Sequence, residues 1–486
     1  MNLNGGSMRY IFFVLVFYVN ITYAQKIEVY FNAKVDTIGF YGNYAHGLAD
    51  FPQIVSSKID SAKYTLDLCL YRLALPDITD RILAAHSRGV RVRVIIDDEH
   101  RDDQEIMRLE QANIPVIDDS FGGNPKSYRM HNKIWLIDVR DSTSDVDDYV
   151  ITGSWNPTEQ NTYKDANNLI IIQDQALGRA YTTEFEEMWG SNTDEPDSTN
   201  SKFHTRKEDN TPHEFTIDSQ KVYLYFCPSD SVDLMMVREV EDATKEIDFC
   251  IYAYSSDTLC LAKKAKWDTI NGFKVQGVFD RTFWDVYWSK SLDMRGESSA
   301  EYPWDPPAPV FSDSVALPDQ TNGLLHHKYF LVDPLFLNAT VVSGSSNWSA
   351  SGFENNDENI LIIKSKTIAQ QFYQEFTRRY GEAQGKYGFN SNMASKNTTQ
   401  LMPTGIYQTF PQPARDTINI EIILNKPTLA VVEIRDITGR YKGILYKKQL
   451  CRGKHLRKIH LPKSLKPGSY FLRLRGFEGA VLFIKK

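Results

Sequence analysis

The chain has few cysteines and, after its N-terminus, no long apolar run. Its five cysteines are an odd number without close spacing, so neither a disulfide framework nor a Cys/His zinc site is predicted. No later apolar run reaches the roughly 20 residues that a membrane-spanning helix needs. With 486 residues, the chain is too long for one core, and two or three domains are expected.

Positive charge is scarce outside residues 401–486. That segment has 17 Lys and Arg against 5 Asp and Glu, a formal charge of +12, and because the whole chain carries −7, residues 1–400 carry −19. Proteins that bind the phosphate backbone of nucleic acids usually present arrays of Lys and Arg. The acidic body argues against nucleic-acid binding without excluding a local basic pocket.

The N-terminus has the pattern of an export signal. Arg9 precedes the apolar run 10–19, and Thr22-Tyr23-Ala24 offers a small-residue cleavage site. Charge, a short apolar core and a small residue, in this order, are typical of a secretory signal peptide. We predict a signal peptide at residues 1–24 and a secreted or cell-surface location.

One motif, His-x-Lys-x4-Asp, occurs twice. The first copy spans 131–138 and the second 326–333, each on an apolar run, and Gly-Ser-x-Asn follows at 153–156 and 344–347. A single copy is expected by chance in roughly one of several tens of chains of this length. Two copies with the same downstream motif are not expected by chance, so they indicate a duplication.

The flanking segments repeat as well. Residues 64–71 match 245–252 at an offset of 181, and Glu184-Phe185 match Glu375-Phe376 at an offset of 191. Apolar strand patterns alternate with helix patterns, which is typical of an α/β fold. We therefore predict lobe 1 at 25–190, a polar linker at 191–220 and lobe 2 at 221–386.

The paired motif resembles that of the phospholipase D superfamily, over roughly residues 26–386. The resemblance implies two α/β/α lobes related by a pseudo-twofold axis in a monomeric catalytic unit. It also implies a phosphodiesterase that needs no metal or other cofactor. In such an enzyme one histidine attacks phosphorus to form a phosphohistidine, and the other protonates the leaving group and then activates water.

The motif supplies the candidate site residues. Side chains at i and i+2 of a strand share one face, and imidazole titrates near neutral pH, which suits acid–base and nucleophilic roles. The predicted catalytic residues are His131, His326, Lys133, Lys328 and Glu358. The two lysines with Asn156 and Asn347 are predicted to bind the phosphate, and Asp138, Asp333, Ser154 and Ser345 to support the site structurally. His327 points to the other face, so a structural role is expected.

The two halves differ at one position near the site. Glu358 lies where superfamily members often place a histidine-orienting carboxylate, whereas Asn167 occupies the matching position of the first half. A carboxylate on the imidazole Nδ1–H fixes the tautomer and favours a charged ring. Glu358 could therefore make His326 the better nucleophile or equally the better acid, while family precedent favours His131 as the nucleophile.

The substrate class is less sharply indicated. The segment between Asp280 and His326 is rich in aromatic residues. They are Trp284, Tyr287, Trp288, Tyr302 and Trp304. Such rings could contact a lipid headgroup or surface, stack on bases, or simply pack the loop onto the body. We predict a phospholipid or related phosphodiester as substrate, with a secreted DNA nuclease and a catalytically silent surface-binding protein as alternatives.

The C-terminal part has a different pattern. After a polar linker at 387–404, short alternating strands with Gly/Pro turns predict a β-sandwich at 405–486. Its turn 436–440 and its ending 484–486 resemble the C-terminal sorting domain of type IX secretion, although Gln412 replaces the usual Asn. The resemblance implies the secretion machinery as a partner, and a carbohydrate- or surface-binding module is the alternative.

Overall fold

The computed structural model describes residues 25–40, 42–123, 127–313 and 323–386, and most of 405–485 (405–410, 414–424, 426, 428–436, 440–450, 453–477 and 481–485). The predicted signal peptide and the linker 387–404 lie outside these residues, as do Gln412, 437–439, Cys451 and Lys486. The described residues form two compact units. One holds 25–35 and 45–383, and the other holds the described residues of 36–44 and 384–486. Residues 36–44 had been predicted to belong to lobe 1.

Lobe 1 contains a seven-stranded mixed sheet in the order β1-β7-β6-β5-β2-β3-β4. Its strands are β1 (Ile27–Phe31), β2 (Thr65–Leu70), β3 (Arg91–Ile96), β4 (Val116–Asp118), β5 (Lys133–Ile137), β6 (Tyr149–Gly153) and β7 (Asn168–Gln173). Its helices are α1 (Phe51–Ser61), α2 (Pro76–Ser87), α3 (Gln104–Gln111), α4 (Glu159–Tyr163) and α5 (Gln175–Trp189). In α2, Pro76 occupies the first turn and Ile78, Ile82 and Ala85 are buried, as the helical spacing predicts.

Lobe 2 repeats this sheet and adds one edge strand. Its order is β12-β11-β10-β13-β14-β15-β9-β8. The strands are β8 (Glu214–Ile217), β9 (Gln220–Cys227), β10 (Glu246–Ile251), β11 (Lys274–Phe279), β12 (Val310–Ser312), β13 (Lys328–Val332), β14 (Thr340–Gly344) and β15 (Glu358–Lys364). The helices are α6 (Val232–Asp242), α7 (Asp257–Thr269), α8 (Lys290–Met294) and α9 (Lys366–Ala383).

Both sheets are covered on both faces. Every residue of β2 and of β10 is buried, including the carboxylates Asp67 and Asp248, as expected for central strands of a sheet that is covered on both faces. One core joins the inner faces of the two sheets with α5 and α9, and a separate outer core lies under α1, α2 and α3 in lobe 1 and under α6 and α7 in lobe 2. The predicted pair of α/β lobes is confirmed.

The predicted linker 191–220 is partly ordered structure that packs on the lobes. It contains β8, which pairs antiparallel with β9. His204 and Lys207 are buried in it despite their polarity. Composition suggested a linker because Asp, Thr, Asn and Ser are frequent there, but charged residues of the segment, among them Asp194, His204 and Lys207, form ion pairs with the lobes.

The C-terminal unit is built from two antiparallel sheets, ordered β16-β17-β20 and β19-β18-β21-β22. The strands are β16 (Gly405–Phe410), β17 (Thr417–Leu424), β18 (Thr428–Asp436), β19 (Tyr441–Leu450), β20 (Gly453–His460), β21 (Gly468–Leu474) and β22 (Val481–Lys485). Alternate residues of β17, Ile418, Ile420 and Ile422, share one core with Val432 and Leu472 of the other sheet. The predicted β-sandwich is confirmed.

The described cysteines, Cys69, Cys227, Cys250 and Cys260, are buried free thiols. Among the described residues, no helix combines the length and the apolar character needed to cross a bilayer.

Candidate active site between the two lobes

The two motif histidines lie where the lobes meet. His131 and His326 lie two positions before the first residues of β5 and β13. The His131 backbone N–H donates to the Asp357 carbonyl of lobe 2 at 2.9 Å, and the His326 N–H donates to the Ala166 carbonyl of lobe 1 at 3.0 Å. Each histidine is therefore held by the opposite lobe, in a pseudo-twofold arrangement.

The imidazole partners also cross the interface. Both Glu358 oxygens, from lobe 2, lie 2.9 Å from Nδ1 of His131 in lobe 1. In turn, Nδ1 of His326 donates to Oδ1 of Asn167 at 2.9 Å. The expectation that Glu358 acts on His326 of its own half is therefore wrong: the start of β15 faces across the interface, so the carboxylate reaches the other lobe's histidine.

The two lysines have matching environments. Lys133 Nζ donates to the His131 carbonyl at 2.5 Å and Lys328 Nζ to the His326 carbonyl at 2.9 Å. Their ammonium groups lie over the rings of Tyr71 (5.4 Å to the centroid) and Tyr252 (5.1 Å).

The two tyrosines also contact the catalytic candidates. Tyr71 lies 4.9 Å from the His131 ring and Tyr252 lies 5.0 Å from the His326 ring, centroid to centroid. Sequence reasoning assigned them no role, although they match at the same offset as their strands. They form one wall beside each His–Lys pair.

The serines of the Gly-Ser-x-Asn segments hydrogen-bond to the residues that hold the two histidines in place. Ser154 Oγ accepts from Asn168 N–H at 3.0 Å and donates to Asn167 Oδ1 at 2.9 Å. Ser345 Oγ accepts from Asn359 N–H at 3.0 Å. The serines thereby fix the backbone that carries Asn167 and Glu358.

Asn156 and Asn347 occupy equivalent positions after these turns. Oδ1 of each is buried and has no hydrogen-bond donor among the described residues. The two amides were predicted to contact a substrate phosphate, a contact that would use their Nδ2 donors rather than Oδ1.

Asp138 and Asp333 lie at the far ends of β5 and β13. Asp138 accepts the backbone N–H groups of Lys63, Tyr64 and Thr65 at 2.7–3.1 Å. Asp333 accepts those of residues 244–246 at 2.7–2.8 Å. The structure thus places both motif aspartates away from the histidines. There they hold the backbone that leads into β2 and β10, the strands that pair with β5 and β13.

Two further aspartates hold the segments before the histidines. Asp97 Oδ2 accepts Met130 N–H at 3.0 Å, and Asp280 Oδ2 accepts Leu325 N–H at 2.7 Å. Sequence reasoning assigned them no role in the site. Their common offset of 183 was the signal that could have placed them at the site.

One residue that bridges the two lobes lies outside the repeated motifs. His204, from the predicted linker, lies 3.0 Å from a carboxylate oxygen of Asp119 and 3.0 Å from one of Asp357, and Lys207 also contacts Asp357 at 3.1 Å. Burial would lower the pKa of His204, but the two carboxylates raise it to about 9. Because Asp119 also accepts Met130 N–H at 3.2 Å and the Asp357 carbonyl accepts His131 N–H, this cation supports the backbone of Met130 and His131.

His327 does not face the site. Its Nε2–H donates to Glu375 at 2.8 Å, and its Nδ1 lies 3.2 Å from the Asn168 amide. Both contacts are in the buried core between the sheets, as expected for a structural histidine.

The site is electrostatically prepared for an anion. Burial lowers the pKa of His131 to about 4 and that of Lys133 to about 8, and the pKa values of His326 and Lys328 are well below their ordinary range for the same reason, helped by the neighbouring lysine charges. Burial opposes ionisation of Glu358, but His131 and Lys133 lower its pKa overall. A bound phosphate anion would reduce the repulsion among these groups when they are protonated, and would therefore raise their pKa values again.

Two duplicated α/β lobes that each bring one His–Lys pair to a shared interface are the arrangement of the phospholipase D-like class. The chain belongs to the family described as cardiolipin synthase, PLD-like domain, whose sequence model matches residues 55–189 and 236–380, more than half of the chain.

Curated relatives match over shorter stretches. The mitochondrial cardiolipin hydrolase of Xenopus tropicalis is 34% identical over 130 residues, covering 26% of this chain and 56% of that protein. The phospholipase D of Rickettsia conorii is 30% identical over 131 residues, covering 26% and 59%. The chain thus spans somewhat more than half the length of these relatives. Among solved structures, phosphatidylserine synthase of Haemophilus influenzae is similar with a TM-score of 0.47, 11% identity, and coverage of 68% of this chain and 84% of that one.

Proposed function

We propose that the chain is a phosphodiesterase that hydrolyses phospholipid-type phosphodiesters through a covalent phosphohistidine. The observation that carries the proposal is the pair of buried imidazoles, each of which is hydrogen-bonded through Nδ1 to the opposite lobe. His131 is bonded to Glu358, and His326 to Asn167. Because both Nδ1 atoms are engaged, both Nε2 atoms are left for the substrate. One can bond to phosphorus while the other transfers a proton.

We assign His131 as the nucleophile. Its Nε2 attacks phosphorus, the bond from phosphorus to the leaving oxygen breaks, and the ring becomes a cationic N-phosphorylated imidazole. The Glu358 carboxylate at Nδ1 offsets that charge, which the neutral Asn167 amide could not do. The charge that develops on the phosphate oxygens faces Lys133, Lys328 and the asparagine amides.

His326 then acts as acid and afterwards as base. Without substrate its pKa is far below the ordinary value, but the bound phosphate anion favours its protonated form. The proton moves from its Nε2 to the leaving oxygen. In the second half His326 takes a proton from water, the hydroxide attacks phosphorus, and the bond from phosphorus to His131 breaks to release a phosphomonoester.

Lipid is the favoured substrate for two reasons. The names of the matched relatives are cardiolipin hydrolase and phospholipase D. In addition, a series of ring contacts leads away from His326, from Tyr252 to Phe283 at 4.9 Å and from Phe283 to Trp288 at 5.1 Å. Such rings can contact the apolar part of a glycerolipid, and the acidic body repels nucleic acid.

The test is turnover by the full chain, in EDTA, of cardiolipin vesicles, phosphatidylcholine vesicles and single-stranded DNA. His131→Ala and His326→Ala should each abolish lipid hydrolysis, while His46→Ala, at an exposed histidine outside the site, should not. DNA cleavage with silent lipids would make the chain a nuclease. No turnover of any substrate would favour a binding protein.

The roles of the histidines can be separated with a ³²P-labelled aryl phosphodiester, whose leaving group needs no acid. His326→Ala should accumulate labelled His131, because the base for hydrolysis is missing, and His131→Ala should not be labelled. Label on His326 instead would reverse the assignment.

We also propose that the enzyme is exported, with residues 1–24 as signal peptide and the C-terminal β-sandwich as the sorting domain that contacts the secretion machinery. The support is the order of charge, apolar run and small residues at the N-terminus, and the turn sequences of 405–486. Deleting 405–486 should leave the protein inside the producing cell. Export of the truncated chain at the full-length level would contradict this proposal.

A further inference from the structure

Three aspartates converge in the loop that joins β5 to β6. Asp141, Asp147 and Asp148 each offer one carboxylate oxygen, and these oxygens all lie within 4.8 Å of one another. The loop lies at the end of β5 opposite to His131, so the cluster is separate from the catalytic site.

Four carboxylate oxygens of this cluster have no donor in bonding geometry. Asp141 Oδ2, Asp147 Oδ1 and both oxygens of Asp148 are buried without a hydrogen-bond partner in bonding geometry. Asp148 is 0% exposed. The Ser144 hydroxyl and the Gln175 amide lie beside Asp147 and Asp148, but both groups are neutral.

The charge of the cluster is compensated only in part. Lys63 Nζ contacts the other Asp147 oxygen, Oδ2, at 2.7 Å, and Asp141 Oδ1 is used by Thr143 N–H at 2.6 Å. Nearby Asp138 adds a fourth carboxylate, although backbone N–H groups satisfy it. Asp141 and Asp147 are partly exposed and Asp148 is buried, and neighbouring carboxylates with so few donors are unfavourable unless a cation joins them.

We propose that Asp141, Asp147 and Asp148 bind a calcium ion that fastens the β5–β6 loop. The donor set consists of carboxylate oxygens alone, which hard cations prefer and which does not suit zinc. Both Asp148 oxygens are free for bidentate binding, and the loop offers further carbonyls. Calcium accepts such irregular sets of six to eight oxygens, whereas magnesium demands near-octahedral geometry. This site does not depend on the proposed catalytic function.

Calorimetric titration of the EDTA-treated full chain with CaCl₂ tests the site directly. We expect one site with a Kd on the order of 10⁻⁵ to 10⁻³ M, and no comparable binding of MgCl₂. Asp148→Asn should abolish the binding heat. Asp145→Asn removes the same charge from an exposed position of the same loop and should leave binding within about threefold.

Thermal unfolding gives a second readout, because the difference in Tm between wild type and Asp148→Asn should have opposite signs in calcium and in EDTA. In 10 mM CaCl₂ the wild-type Tm should rise by a few degrees, and that of Asp148→Asn should not. In EDTA, Asp148→Asn should melt higher than wild type, because an uncompensated buried charge has been removed.

Three outcomes would overturn the proposal. The first is wild-type protein that binds no calcium, or binds magnesium equally well. The second is Asp145→Asn losing as much affinity as Asp148→Asn, which would indicate general attraction to an acidic loop. The third is Asp148→Asn melting lower than wild type in EDTA, which would make the carboxylate a structural acceptor.

Discussion

Replacing Glu358 with Gln changes one charge at the centre of the proposed mechanism. The amide can still accept the Nδ1–H of His131, so the tautomer is kept and only the charge is lost. At 2.9 Å, a full charge pair is worth about 6 kcal/mol with an effective dielectric constant near 20. The lower bound is the difference between a charge-assisted and a neutral hydrogen bond, about 1.5 kcal/mol.

These bounds correspond to a fall in kcat of about 10-fold or more, and we expect 10²- to 10³-fold. The loss should appear in kcat rather than KM, because the cationic ring exists only after attack on phosphorus. Steady-state kinetics on vesicles and rapid-quench labelling with the aryl diester provide the measurement.

The matched variant is Asn167→Asp, which gives His326 the carboxylate instead. In this variant His326 holds its proton more tightly, so hydrolysis of the intermediate should slow and labelled His131 should accumulate. An unchanged kcat in Glu358→Gln, with unchanged Tm, would refute the charge argument.

Other predictions concern support of the fold and site. His204→Gln leaves Asp119 and Asp357 buried without this cation, so it should destabilise the protein by about 3–5 kcal/mol in urea unfolding. The kcat measured on vesicles should also fall. Unchanged stability would contradict the ion-pair account. Asp138→Asn should cost about 2–3 kcal/mol in urea unfolding, because its amide opposes backbone N–H donors, while kcat of the folded enzyme stays near wild type. Burial lowers the pKa of Lys263 to about 7, so the unfolded chain binds its proton more tightly and wild-type stability falls as pH drops from about 10 to 7. Lys263→Met should therefore stabilise by about 1–3 kcal/mol at pH 7 after allowance for the four rings around Nζ, and the gain in urea unfolding should shrink towards pH 10.

Local patterns in the sequence determined the lobes and the motif residues. The duplicated motif, the repeated flanking segments and the alternation of strand and helix patterns predicted two α/β lobes, because strand and helix periods are local properties of the chain. The i, i+2 spacing likewise predicted that His131 lies beside Lys133 and His326 beside Lys328. Gly/Pro turns between short alternating strands predicted the C-terminal β-sandwich.

Contacts between distant segments were decided only by the tertiary structure. The sequence places Glu358 within the second half, yet the facing of the two sheets gives its carboxylate to His131 of the first. His204 was hidden in a polar stretch because its partners, Asp119 and Asp357, belong to different lobes. The convergence of Asp141 and Asp148 depends on how one loop closes. For Glu358 and His204 the energy lies in pairing charges that are far apart in the chain, and no local period of the sequence records such pairs.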